Sequence, residues 1–140
     1  MSNPFRQVVD HMMLHDKFSQ WLGIEVLDIQ DGYSKIKMTV REEMVNGFGI
    51  VHGGIAFSLA DSAFAFACNS DGKITVALDT SISFPKASKV NDVLIAEAKQ
   101  ISITRSTGLY LVEIKNQNNE LVALFKGTCY KTKKDLINHP

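Results

Sequence analysis

The chain has 140 residues, 45% of them hydrophobic and 21% charged, which fits one domain with one core and argues against disorder. Its 15 basic and 15 acidic side chains cancel to a formal net charge of zero. That balance lacks the positive field a dedicated nucleic-acid binder uses to neutralise phosphates.

Two cysteines, Cys68 and Cys129, form neither a disulfide framework nor a zinc pattern, so free buried thiols in a reducing compartment are expected. The first 18 residues contain Asp10, His11, His15 and Asp16 and lack the unbroken apolar stretch of a signal peptide. The longest apolar region, Gly53 to Cys68, is too short for a bilayer and carries Asp61. A soluble, cytoplasmic protein with no nucleic-acid or membrane partner is expected.

In chain order, residues 1–18 read as an amphipathic N-terminal helix. Val8, Val9, Met12 and Met13 share one face, and Pro4 suits the first turn. Ile24 and Val26 begin a strand, and Asp31-Gly32 makes a turn. Ile36, Met38 and Val40 then alternate with Lys35, Lys37 and Thr39, the pattern of a half-buried strand. A loop with Asn46-Gly47 and Gly49 leads to an apolar helix over residues 53–69. Strands follow at 74–84, 93–104, 108–116 and 121–131. Between Ala98 and Ile101 the apolar phase changes, which predicts a β-bulge. Asn118-Asn119 marks a hairpin turn, and Lys131, Lys133 and Lys134 read as a solvated tail. The fold class is therefore α+β, a curved antiparallel sheet wrapped around one long central helix within a single 1–140 domain. An open sheet edge in such a fold predicts oligomerisation.

The central helix carries the chemistry. Asp61 is its sole charge, and Ser58, Ser62 and Asn69 fall on the same narrow face, like the floor of a slot. A carboxylate there is either satisfied by hydrogen bonds as a structural element or kept for reaction. The helix start tips the balance. His52-Gly53-Gly54 places two glycines where backbone N–H groups have no helical partner and carry partial positive charge. That is the geometry of an oxyanion hole. Asp61 lies roughly 12 Å along the helix from Gly53, too far for both to reach one carbonyl carbon within one chain. The site is inferred to combine the helix start of one subunit with Asp61 of another.

The stretch Asn46-Gly-Phe-Gly-Ile-Val-His52-Gly53-Gly54, continuing through Leu59-Ala60-Asp61, resembles the hotdog-fold thioesterases of the phenylacetic-acid-degradation (PaaI) type. Ser83-Phe84-Pro85-Lys86-Ala87, Asn91-Asp92-Val93-Leu94 and Leu121-Val122-Ala123 through Gly127-Thr128 extend the resemblance from about Phe18 to Lys131. The resemblance implies hydrolysis of an acyl-CoA thioester at sites between subunits of a homodimer or a homotetramer built as a dimer of dimers. It makes Asp61 the catalytic carboxylate, acting as nucleophile or as general base. Gly53 and Gly54 supply the carbonyl-polarising amide, Asn46 positions water or the carboxylate, and His52 orients the carbonyl site. Ser62, Phe84, Lys86, Lys89 and Arg105 become candidates for substrate or CoA contacts. No cofactor is implied, since coenzyme A is part of the substrate. Phe57, Phe64 and Phe66 suggest an apolar or aromatic acyl group of phenylacetyl or medium-chain type, although as helix residues they suit the core better than a pocket. One departure stands out: many relatives carry serine or threonine where this chain has Ala77, with Thr80 and Ser81 as nearby substitutes. Two other functions fit less well. A hotdog dehydratase or hydratase would pair a histidine base with the acidic residue, and a non-catalytic acyl-CoA sensor would need a DNA-binding segment.

Overall fold

Six runs of alternating residues become six antiparallel strands: β1 Glu25–Gln30, β2 Tyr33–Thr39, β3 Lys73–Ser83, β4 Val93–Ile103, β5 Thr107–Lys115 and β6 Leu121–Asp135. The computed structural model describes residues 3–137. The strands form one sheet in the order β1-β2-β4-β5-β6-β3. Helix α3, Gly53–Cys68, packs against every one of them, so the sheet wraps the helix as the patterning predicts. The expected bulge is present, with the β4–β5 register shifting between Gln100 and Ser102.

The helix seats firmly because its sheet-facing residues are apolar and the sheet makes room. Leu59, Ala60, Ala63, Phe64, Phe66 and Ala67 are buried. A fully buried phenylalanine or leucine contributes about 1.5–3 kcal/mol. The Phe64 ring meets Tyr110 edge-on at 5.7 Å and Phe125 at 5.6 Å between centroids. Beneath it lies Gly127, where a Cβ would fall 2.8 Å from the ring. Cys68 and Cys129 are free and buried.

Two expectations need correction. The N-terminal segment is not one helix but two, α1 Pro4–His15 and α2 Lys17–Leu22. Asp16 breaks it: its backbone leaves the helical region, and its carboxylate accepts the Ser19 N–H to cap α2. A short acidic side chain competes well for free backbone donors, which is why aspartate favours caps over helix interiors. Lys131 is not a solvated tail residue either. Strand β6 runs on to Asp135, and the Lys131 ammonium donates to the Asp71 carboxylate at 2.9 Å and the Cys68 carbonyl at 3.2 Å.

Strand β3 closes one edge of the sheet, and its central residues Val76, Ala77, Leu78 and Asp79 are all exposed. Among the described residues, no helix is long and apolar enough to cross a membrane.

Candidate active site

The loop before α3 is held by its own polar groups. The Asn46 Oδ1 accepts the Phe48 N–H at 2.9 Å, and the Asn46 N–H donates to the Ile50 carbonyl at 2.8 Å. Gly49, at φ 78, makes the reversal that a side chain would strain. The His52 N–H then donates to the Met44 carbonyl at 2.8 Å, and the Val51 N–H to the Ser88 carbonyl at 2.7 Å. The start of α3 is therefore fixed from two sides.

His52 is the N-cap of α3, and its Nδ1 accepts the Gly54 N–H at 2.9 Å. An accepting Nδ1 leaves the proton of a neutral imidazole on Nε2. The Gly54 amide is thus occupied. The Gly53 N–H has no intramolecular acceptor among the described residues. It opens on a cleft of about 250 Å³ whose lining includes Asn46, Phe84, Lys86 and Ser88. Phe84 stands 3.4 Å from where a Gly53 Cβ would be, so the ring packs directly on this glycine in the cleft. The Ser88 hydroxyl is buried with no partner among the described residues. Of the two glycines, Gly53 has the free donor, and His52 sets its direction by pinning the turn that follows.

Asp61 lines a second, smaller pocket of about 160 Å³, together with Asp16, Phe18, Phe57, Ser58 and Ser62. Asp61 is half-buried, and among the described residues no donor hydrogen-bonds its carboxylate. Burial, and after it the negative charge of Asp16, push its pKa above the ordinary carboxylate value. A structural carboxylate satisfied by donors would shift the other way. This one is half-buried, unpaired and shifted upward.

The polar stripe proves shorter than its helical angles suggest. The Ser58 hydroxyl donates to the Gly54 carbonyl at 2.7 Å, and Ser62 lies 2.8 Å from the Ser19 hydroxyl. Asn69 leaves the stripe. It is the C-cap of α3, its amide donating to the Ala65 and Thr75 carbonyls and its oxygen accepting the Thr75 N–H at 2.8 Å. The slot floor is therefore Ser58, Asp61 and Ser62.

The remaining candidates divide. Lys86 borders the Gly53 cleft and pairs with Glu120 at 3.1 Å, and Lys89 shares an adjoining cleft with it. Arg105 lies at the other end of β4 and β6, in a basic cleft with Lys133 and Lys134. Phe64 and Phe66 belong to the core, whereas Phe57 reaches the Asp61 pocket. Ala77 is exposed on β3 opposite Cys129, and neither it nor Thr80 or Ser81 lines that pocket within one protomer. Sequence reasoning missed Asp16, Phe18, Ser19 and Ser88. Asp16 carried a readable helix-cap signal, since aspartate is a preferred N-cap residue and breaks the run of helix formers before Lys17. Ser88 carried none.

Known proteins share the sequence pattern and the fold. Residues 48–123 match the model of the thioesterase superfamily. A putative esterase of Archaeoglobus fulgidus is 42% identical over 96% of this chain and 87% of its own. The acyl-coenzyme A thioesterase PaaI of Escherichia coli is 39% identical over 94% of each chain. The solved structure of E. coli PaaI, from the phenylacetic acid degradation operon, superposes with a TM-score of 0.93 at 37% identity, covering 94% of this chain and 96% of that one. A hypothetical thioesterase of Streptococcus pneumoniae TIGR4, solved with coenzyme A, has a TM-score of 0.83 at 27% identity over 89% of this chain and 98% of that one.

Proposed function

Because this chain belongs to the thioesterase superfamily and is a hotdog-fold thioester hydrolase, we propose that it cleaves acyl-CoA with Asp61 as the general base. The observation that carries the role of Asp61 is its carboxylate, half-buried and free of hydrogen-bond donors on an otherwise uncharged helix. The acyl group is of the aromatic, phenylacetyl type or of medium chain length. Phe57 and Phe18 beside Asp61, and Phe84 beside Gly53, support an apolar or aromatic acyl portion.

The thioester carbonyl oxygen accepts the Gly53 N–H at the positive end of α3. Asp61 takes a proton from water as the water oxygen bonds to the carbonyl carbon. The negative charge that develops on the carbonyl oxygen is held by the Gly53 amide. Collapse breaks the carbon–sulfur bond, and the leaving CoA thiolate takes the proton from Asp61. Coenzyme A is part of the substrate, and no separate cofactor enters these steps.

Gly53 and Asp61 open on different pockets, roughly 12 Å apart along one helix. This separation supports a site built from the helix start of one subunit and Asp61 of its neighbour, in a homodimer or a homotetramer. Exposed Val76 and Leu78 on edge strand β3 support such an assembly, since an unpaired apolar edge calls for a partner. Lys86 and Lys89 suit the phosphates of CoA at the mouth of the Gly53 cleft. Arg105 would reach CoA only across a subunit boundary.

The test is a panel of phenylacetyl-CoA and medium-chain acyl-CoAs, with release of free CoA thiol as the readout. Thiol release is expected. Hydration of enoyl-CoA without thiol release would support a dehydratase instead, and binding without turnover would support a sensor. Mixing an Asp61→Ala subunit with a Gly53 variant should restore activity in mixed dimers, and a fully active monomer would contradict the two-subunit site.

A further inference from the structure

The Asp61 pocket contains a second carboxylate that the proposed hydrolysis does not use. Asp16 sits between α1 and α2 and lines the same pocket of about 160 Å³. Both of its oxygens are engaged: Oδ1 accepts the Ser19 N–H at 2.9 Å and Oδ2 accepts the Ser19 hydroxyl at 2.6 Å. The Ser19 hydroxyl lies 2.8 Å from the Ser62 hydroxyl, one residue after Asp61 on α3.

Proton counting sets the direction of this chain. Ser19 has one hydroxyl proton, and it goes to Asp16. The Ser62 hydroxyl must then donate to Ser19. The chain ties Asp16 at the α1–α2 junction to α3 beside Asp61, with Asp16 accepting both the N–H and the hydroxyl of Ser19.

We propose that Asp16 is a positioning residue for the hydrolysis: held against α3 in the Asp61 pocket by its Ser19–Ser62 chain, its carboxylate tunes Asp61 as the acceptor of the proton from water. A nearby like charge disfavours ionisation of its neighbour, and a stronger base is the better proton acceptor in general-base catalysis. The upward displacement of Asp61, with Asp16 as its second cause after burial, agrees with this. Among the described residues, Asp16 and Asp61 are the titratable groups that line the pocket, one from the α1–α2 junction and one from α3. Lys17, next to Asp16, is exposed and lies outside the lining.

This inference rests on Asp61 being the base of the proposed hydrolase, and its test has one arm that needs no turnover. Asp16→Asn removes the charge and keeps a competent helix cap, and Asp16→Ser does the same with a smaller side chain. Full-length protein carrying carboxyl-labelled aspartate is titrated by carbon NMR, with the Asp61 signal assigned by its loss in Asp61→Asn. The pH profile of kcat for thiol release from phenylacetyl-CoA is recorded in parallel. In both Asp16 variants Asp61 is expected to titrate at lower pH than in the wild type, with the acid limb of kcat displaced the same way. An unmoved Asp61 titration in both variants would overturn the proposal. A moved titration with an unmoved acid limb would also overturn it, because Asp16 would then act on Asp61 without acting on the reaction. A wild-type protein that releases no thiol would refute the hydrolase reading alone, and the titration would still judge the carboxylate pair.

Discussion

Replacing His52 separates capping from chemistry at the start of α3. The imidazole Nδ1 accepts the Gly54 N–H at 2.9 Å, and Gly54 directly follows the glycine whose amide is free. His52→Ala removes the acceptor and leaves the first turn uncapped. Loss of an N-cap costs about 1 kcal/mol, which for a domain of this size lowers Tm by roughly 3–5 °C. Losing a complete oxyanion donor costs about 10²- to 10³-fold in kcat. The Gly53 amide survives this substitution and is only less well aimed, so a loss of about 10-fold to 100-fold is expected. His52→Asn restores a side-chain oxygen able to accept the same N–H and should recover both Tm and most of kcat. Thermal denaturation and thiol-release kinetics on the two variants give the answer. An Asn variant as stable as the wild type yet as inactive as the Ala variant would refute the reasoning, because the imidazole would then act in the reaction itself. A fully active Ala variant would show that the cap does not aim the site.

Other perturbations follow from the same contacts. Asp61→Asn should stabilise the fold at neutral pH while harming catalysis. The carboxylate is pushed above its ordinary value in the folded chain, so the unfolded chain ionises first as pH rises and stability falls through that window. Denaturation midpoints should show a gain for the variant above the raised pKa, shrinking to nothing below the ordinary carboxylate range; no gain at neutral pH would contradict the burial of an unpaired charge. Gly127→Ala places a methyl 2.8 Å from the Phe64 ring; overpacking of this kind costs about 1–3 kcal/mol, a Tm fall of roughly 3–15 °C, and an unchanged Tm would mean that helix and sheet have slack there. Leu78→Glu on edge strand β3 changes an exposed side chain, so the protomer should stay within about 0.5 kcal/mol of the wild type while light scattering reports a smaller assembly; an unchanged mass would place the interface elsewhere.

The sheet was legible because strand burial leaves a period of two in the chain. Ile36, Met38 and Val40 alternate with polar residues, and all three are buried. Even the bulge near Ile101 showed as a change of phase. Asp61 was legible for the opposite reason, as one charge where the pattern allowed none. Other features depend on contacts between distant segments. The angle of Asn69 on the helix wheel matches Ser58, yet the helix ends one residue earlier and the side chain turns to clamp Thr75. Lys131 looked like part of a basic tail, and only the approach of Asp71 and the end of α3 gives it partners. Asp16 was local enough to read, since its cap signal lies within four residues. Its value to the site depends on α2 packing beside α3, which no local pattern reports.

The central claim is that Asp61 performs the hydrolysis and does not hold the substrate. Thiol release by Asp61→Asn, measured beside its affinity for a non-hydrolysable acyl-CoA thioether, tests this most directly. Loss of the base should lower kcat by about 10²- to 10⁴-fold, or about 3–5 kcal/mol of activation free energy, with Kd for the thioether essentially unchanged. Near-normal turnover by Asp61→Asn would contradict the account.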